Sequence, residues 1–220
     1  MSNGPLTLPA RLCLLAWDPA RRATGGTAHR PDLVRAGALA ELAQRGLLTD
    51  EDGIATPVDL DASAGDAVLD GLLELVRESR PHPWRTWVTL RARVTFDAVR
   101  EQLVAQGFLR AEKRRVLGVF PTVEYALERP AAVEALREEV LEILRGRAVD
   151  VSERDAAVTA LAAAGGLLPD RDVRDHERWA EDLLERAGAA APGAGRALRE
   201  VSAAVTRRRT RATPAPTAGR

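Results

Sequence analysis

Almost every cation in this chain is a guanidinium: of 32 basic residues, Lys113 is the only lysine. A guanidinium offers its N–H donors as a planar fork that grips a phosphate or carboxylate in a bidentate, charge-assisted way, which a rotating ammonium does not. Anion recognition is therefore the first chemistry to look for, although a compositional bias toward arginine and alanine accounts for many single positions equally well. Catalytic arrangements are harder to find. His29, His82 and His176 lie far apart and lack metal-ligand spacing such as H-E-x-x-H. Gly25-Gly26 has no phosphate-loop context, and no serine sits in G-x-S-x-G. Glu138-Glu139 reads as a solvated helix face. The expectation is a protein that is not an enzyme and carries neither metal nor cofactor.

The net charge is zero, but the charges are segregated. Residues 41–75 hold nine acids against Arg45 alone, while residues 76–115 hold ten bases against four acids. Two readings follow. Either the basic stretch forms a face that attracts anionic partners, or the two stretches pack together and neutralise each other. Each basic residue near an acidic leaflet contributes about 1 kcal/mol, so a few of them make a reversible dock. A tryptophan at the headgroup boundary adds apolar contact. Trp17, Trp84, Trp87 and Trp179 also suit a core. No apolar run reaches the roughly 20 residues a spanning helix needs, and the start of the chain lacks the pattern of a secretory leader. The lone Cys13, inside an apolar run, fits a reducing compartment. A cytoplasmic, peripherally membrane-associated protein is expected.

The elements that would position these residues are mostly helical. Residues 6–16 fit a short helix or strand, and Asp18-Pro19 with Gly25-Gly26 breaks the chain after it. Asp32 is the expected N-cap of a helix over 33–45 that Gly46 ends. Asp50-Glu51-Asp52-Gly53 is a turn between short strands. Leu69, Leu72, Leu73 and Val76 mark an amphipathic helix over 66–78, and Phe96, Val99 and Leu103 mark another, closed by Gly107. Alternation at Val123, Tyr125 and Leu127 predicts a β-hairpin over 108–127 with its bend at 118–121. Helices follow from Pro130, over 153–163 and over 174–187. After a linker at 192–195 comes a last helix over 196–206. The fold class expected is mainly α: a single helical domain, 1–206, with a small β-hairpin and a disordered Arg/Pro/Thr tail, 207–220.

The stretch Glu41-Leu42-Ala43-Gln44-Arg45-Gly46-Leu47-Leu48, led by Val34-Arg35-Ala36-Gly37, resembles the signature helix of the Golgi phosphoprotein 3 family. Further likenesses follow in order. They are the apolar opening at 8–16, the helix and Trp87 at 70–88, Val99 through Leu109 with Glu112-Lys113-Arg114, and the Arg154-led, Ala-rich helix. The resemblance runs over about 6–206. It implies a helical domain that binds phosphatidylinositol 4-phosphate on a basic face, self-associates through the hairpin at 109–127 and acts as an adaptor. Arg35 falls on the family's headgroup-binding arginine, and Arg93 on the first of two arginines spaced i, i+3. The second falls on Phe96, and the pocket tryptophan falls on Gly26; Trp17 is near in sequence but not equivalent. The binding residues this implies are Arg35 and Arg93, with Trp17 beside them. The partner is an anionic phospholipid headgroup, and no nucleic acid is expected. Arg35 also fits a surface charge paired with Asp32. Read without the family, the helix, basic stretch and hairpin over 96–127 also match a winged helix, which makes duplex DNA the alternative partner. A third reading is an oligomeric interaction protein without lipid binding.

Overall fold

The computed structural model describes residues 6–17, 29–116, 120–146, 148, 150–168 and 173–212. Among them the chain is mainly α, with nine helices and two antiparallel two-stranded sheets. The breaks expected at Asp18-Pro19 and Gly25-Gly26 lie outside the described residues.

Two helices make the centre. In α1 (Leu8–Leu15) all residues are buried, which settles the helix-or-strand choice: Pro9 suits a first turn and the whole cylinder is enclosed. In α2 (Arg30–Gln44) every residue from Asp32 to Ala43 is buried, because α1, α4, α5, α7 and α9 surround it. Alanine and glycine dominate this helix for a steric reason. A Cβ on Gly37 would stand 2.6 Å from Leu12 Cδ1 and 3.2 Å from the Pro9 backbone, so α1 and α2 touch where there is no side chain. Gly46, at φ 69°, ends the helix as expected.

The start of α2 differs from expectation. His29 takes the N-cap position and Pro31 fits the first turn, so Asp32 lies inside the helix and caps nothing. Its carboxylate instead accepts from Arg208 at 2.7 Å.

Strands β1 (Leu48–Glu51) and β2 (Ile54–Pro57) pair around Asp52-Gly53, both at positive φ, the turn chemistry read from sequence. Asp66 caps α3 (Ala67–Glu78) by accepting from the Val68 and Leu69 amides. Leu69, Leu72, Leu73 and Val76 are buried beneath it. The short α4 (Trp84–Thr89) buries Trp84 and Trp87 completely and is followed by α5 (Ala92–Ala105). Strands β3 (Leu109–Val116) and β4 (Phe120–Leu127) form the expected hairpin, with Leu109 opposite Leu127; residues 117–119 of its bend are outside the described set. Helices α6 (Pro130–Leu144), α7 (Glu153–Ala164) and α8 (Val173–Ala187) fall where periodicity placed them.

The last helix is longer than predicted at both ends. α9 (Ala194–Ala212) begins inside the expected linker because Ala194, Ala197 and Leu198 are core residues. It continues six residues past 206, to Ala212, into the stretch expected as a tail. No apolar period carries this extension. Arg208 binds Asp32, and Arg209 Nη1 donates to the Ala163 carbonyl at 3.1 Å. Residues 213–220 lie outside the described set.

Candidate functional site

Arg35 is 2 % exposed and, among the described residues, has no carboxylate partner. Its Nε donates to the Trp87 carbonyl at 3.2 Å and its Nη2 to the Leu90 carbonyl at 2.6 Å, the last carbonyls of α4. Its Nη1 donates to the Thr95 hydroxyl of α5 at 2.5 Å. A guanidinium carries five N–H groups, so these bonds leave about two without a named acceptor. Among the described residues the positive charge is offset only by dipoles. Burial, and then the nearby Arg91, hold its pKa down to about 10. A charge enclosed this way is stabilised by any anion that reaches it.

Such an anion has a route. Arg35 lines an open cleft of about 200 Å³ between α3 and α5. The other charged lining residue is Arg91, and Val68, Leu72, Leu75 and Val94 supply apolar walls. Arg91 is the N-cap of α5 and sits at φ 51°, in the left-handed region that disfavours side chains with a Cβ. Arg93 is 73 % exposed and meets Asp97 only at 3.4 Å. Val94 beside it is 65 % exposed.

Of the three expected residues, Arg35 lines the cleft, whereas Arg93, in the first turn of α5, is exposed and does not line it. Trp17 is elsewhere: it is half-buried after α1, its carbonyl accepts from Arg137 of α6, and it does not line the cleft. Trp84 and Trp87 are core, and Trp179 is exposed against Gly146. Arg91 is a cleft residue that sequence reasoning misses, because no sequence signal marks a non-glycine residue for positive φ. Gly26 lies outside the described residues. Phe96, at the second arginine position of the resemblance, carries the Arg100 guanidinium 5.2 Å from its ring centre, and Tyr125 of the hairpin takes the same guanidinium at 3.6 Å.

The basic stretch 76–115 sorts into members held by other groups and members exposed at the surface. Arg77 donates to the carbonyls of Asp59 and Ala62 at 2.6 Å each. Arg110 pairs with Glu112 and Glu128. Arg80, Arg85, Arg91 and Arg93 are exposed. The side chains of Lys113, Arg114 and Arg115 lie outside the described set. Among the described residues no ion pair joins the acidic stretch 41–75 to this one. Asp50 accepts from the Trp84 indole at 2.7 Å, Asp66 caps α3, and Asp70 accepts from the Ala64 amide at 2.6 Å.

Internal ion pairs instead hold helices together. Arg11 of α1 binds Asp155 of α7 at 2.6 Å and Glu139 of α6 at 3.1 Å. Glu41, 2 % exposed, takes Arg45 at 2.5 Å and also Arg154 of α7. Burial pushes the Asp155 carboxyl up, but the Ser152 hydroxyl and the Arg11 guanidinium, with Arg154 beyond, outweigh it and hold it below its ordinary value. His29 Nε2 lies 3.1 Å from the Gly165 carbonyl, and His176 is outside the described side chains. The Cys13 thiol is buried and pushed up to about 12 by that burial, so it is a packing group. Among the described residues no cluster of three or more His, Cys, Asp or Glu is arranged to hold a metal. None of their helices is long and apolar enough to cross a membrane.

The family model described as Golgi phosphoprotein 3 (GPP34) matches residues 8–205. No curated protein matches the sequence.

Proposed function

Because the chain belongs to the Golgi phosphoprotein 3 family, we propose that it is a non-catalytic, peripheral membrane-docking protein that seats an anionic lipid headgroup over Arg35. By resemblance the headgroup is phosphatidylinositol 4-phosphate. The observation that carries this reading is the buried Arg35 charge, which lines a cleft and has no carboxylate to offset it among the described residues. A largely apolar wall with cations at its floor and rim suits an amphiphile better than a free sugar phosphate. Arg91, which lines the cleft, and Arg93, two residues on, are exposed donors, and Val94 is an exposed apolar contact for the bilayer boundary.

The test is co-sedimentation with vesicles that contain phosphatidylinositol 4-phosphate, alongside phosphatidylserine vesicles of equal charge. Replacing Arg91 and Arg93 together by glutamine removes two cations without touching the α2–α4 bonds. At about 1 kcal/mol each, affinity is expected to fall about thirtyfold. Unchanged sedimentation, or none by the native chain, refutes the reading.

Self-association through β3–β4 is a second proposal. Among the described residues each strand pairs only with the other, and Val123 is 46 % exposed; open edges and an apolar side favour pairing with another copy. Light scattering on a Val123→Lys variant tests it, and an oligomer unaffected by that change, or a native monomer, removes it.

A further inference from the structure

A second basic cleft of about 370 Å³ lies between α4 and α9 and shares no lining residue with the Arg35 cleft. Arg85, Thr86 and Thr89 form the α4 side, and Arg207, Arg208 and Arg211 the α9 side. No carboxylate lines it among the described residues. Its size falls in the range of ligand sites, about 300–1,000 Å³.

Cations near a helix C-terminus answer the helix dipole, and that alone accounts for one or two arginines here. It does not account for the whole set. Arg208 is held by Asp32 and Arg209 by the Ala163 carbonyl. Arg85, Arg207 and Arg211 are exposed and have no hydrogen-bond or ion-pair partner among the described residues. Arg207 and Arg211 stand one turn apart on the same helix face, and Arg85 comes to the same cleft from another helix. Converging like charges repel unless an anion lies between them. The Thr89 hydroxyl turns back onto the Thr86 carbonyl at 3.2 Å, which leaves the Thr86 hydroxyl as the unspent donor on that wall.

We propose that the α4–α9 cleft is a separate site for a phosphate group of monoester or diphosphate type, gripped by Arg85, Arg207 and Arg211. Such a group carries close to two negative charges near neutral pH, enough to bridge forks from both helices, whereas a diester carries one. The same chemistry is presented by a monoester lipid headgroup and by a soluble phosphate. The site does not depend on the Arg35 reading, and its failure is separable from it.

Calorimetric titration of the full chain with inorganic pyrophosphate tests the proposal. The native chain is expected to bind, and Arg85→Gln with Arg211→Gln is expected to weaken binding at least tenfold. Arg196→Gln with Arg199→Gln removes the same charge from α9 outside the cleft and is expected to change binding less than twofold. Arg91→Gln with Arg93→Gln should leave the titration unchanged. Vesicles of phosphatidic acid and of phosphatidylglycerol identify the source. Loss of phosphatidic acid binding in the Arg85/Arg211 variant assigns the site to a membrane monoester. Loss of pyrophosphate binding alone assigns it to a soluble phosphate. A native chain that does not bind pyrophosphate, a cleft variant that binds as before, or an equal loss in the Arg196/Arg199 control overturns the proposal.

Discussion

The carboxylate of Glu41, in the middle of α2, accepts the backbone N–H of Leu8 at 2.6 Å, so the first free amide of α1 is capped from another helix. The cap at Thr7 makes no side-chain bond, and the remaining Glu41 oxygen gathers Arg45 and Arg154. The glutamate and arginine of the signature segment are thus structural. Glu41→Ala is expected to destabilise the fold by about 3–5 kcal/mol, since it strands two guanidiniums and an amide at a buried point. Urea unfolding that shows a loss under about 1 kcal/mol would contradict that role.

Arg35 is expected to matter for stability before it matters for any ligand. Arg35→Ala removes the donors of two buried acceptors, on α4 and α5, and of a part-buried one at the end of α4, a cost of about 3–5 kcal/mol. Arg35→Lys should recover only part of it, because one ammonium cannot address acceptors spread over two helices. The midpoint of thermal unfolding ranks the three proteins, and equal midpoints would show that the bonds to α4 and α5 contribute nothing.

Arg91 sits in a conformation that glycine adopts freely. Arg91→Gly is therefore expected to keep or raise the melting temperature, by at most about 1 kcal/mol of stability, while vesicle affinity falls about fivefold. A variant that melts early would show that the side chain, not its backbone, holds the α4–α5 turn.

Asp155 gives the fold an acid-sensitive contact. Its folded pKa is depressed below the ordinary 3.8, so its contribution is fully present above that value and is lost as pH falls through the lower folded one. Asp155→Asn should cost about 1–3 kcal/mol at neutral pH. The gap between native and variant chains should close as pH falls below the ordinary 3.8 and through the lower folded pKa. Chemical denaturation along that series decides it, and a gap independent of pH would exclude the titration of Asp155 as its origin.

The final turns of α9 are expected to be part of the folded unit. Ending the chain after Thr206 removes the Arg208–Asp32 and Arg209–Ala163 bonds, whereas ending it after Ala212 removes neither. The first truncation should lower stability by about 1–3 kcal/mol and the second should not, as read by circular dichroism melting. Equal melting of both would place those bonds among surface contacts of no consequence.

The sequence by itself determined the class of the fold and most of its elements, because those follow from local rules. Leucine spacing gives α3, the Asp52-Gly53 pair gives the first hairpin, and alternation at Val123, Tyr125 and Leu127 gives the second. Family membership was legible in Glu41 through Leu48 for the same reason: it is a local string. The roles of the arginines were decided only by tertiary structure. Whether a guanidinium is free depends on which oxygens arrive from distant parts of the chain, and nothing near Arg35 in sequence announces the carbonyls of Trp87 and Leu90. Asp32 turned from a cap into a partner because Arg208 reaches it across 176 positions. That same bond lies in the part of the last helix past the point where its apolar period ended.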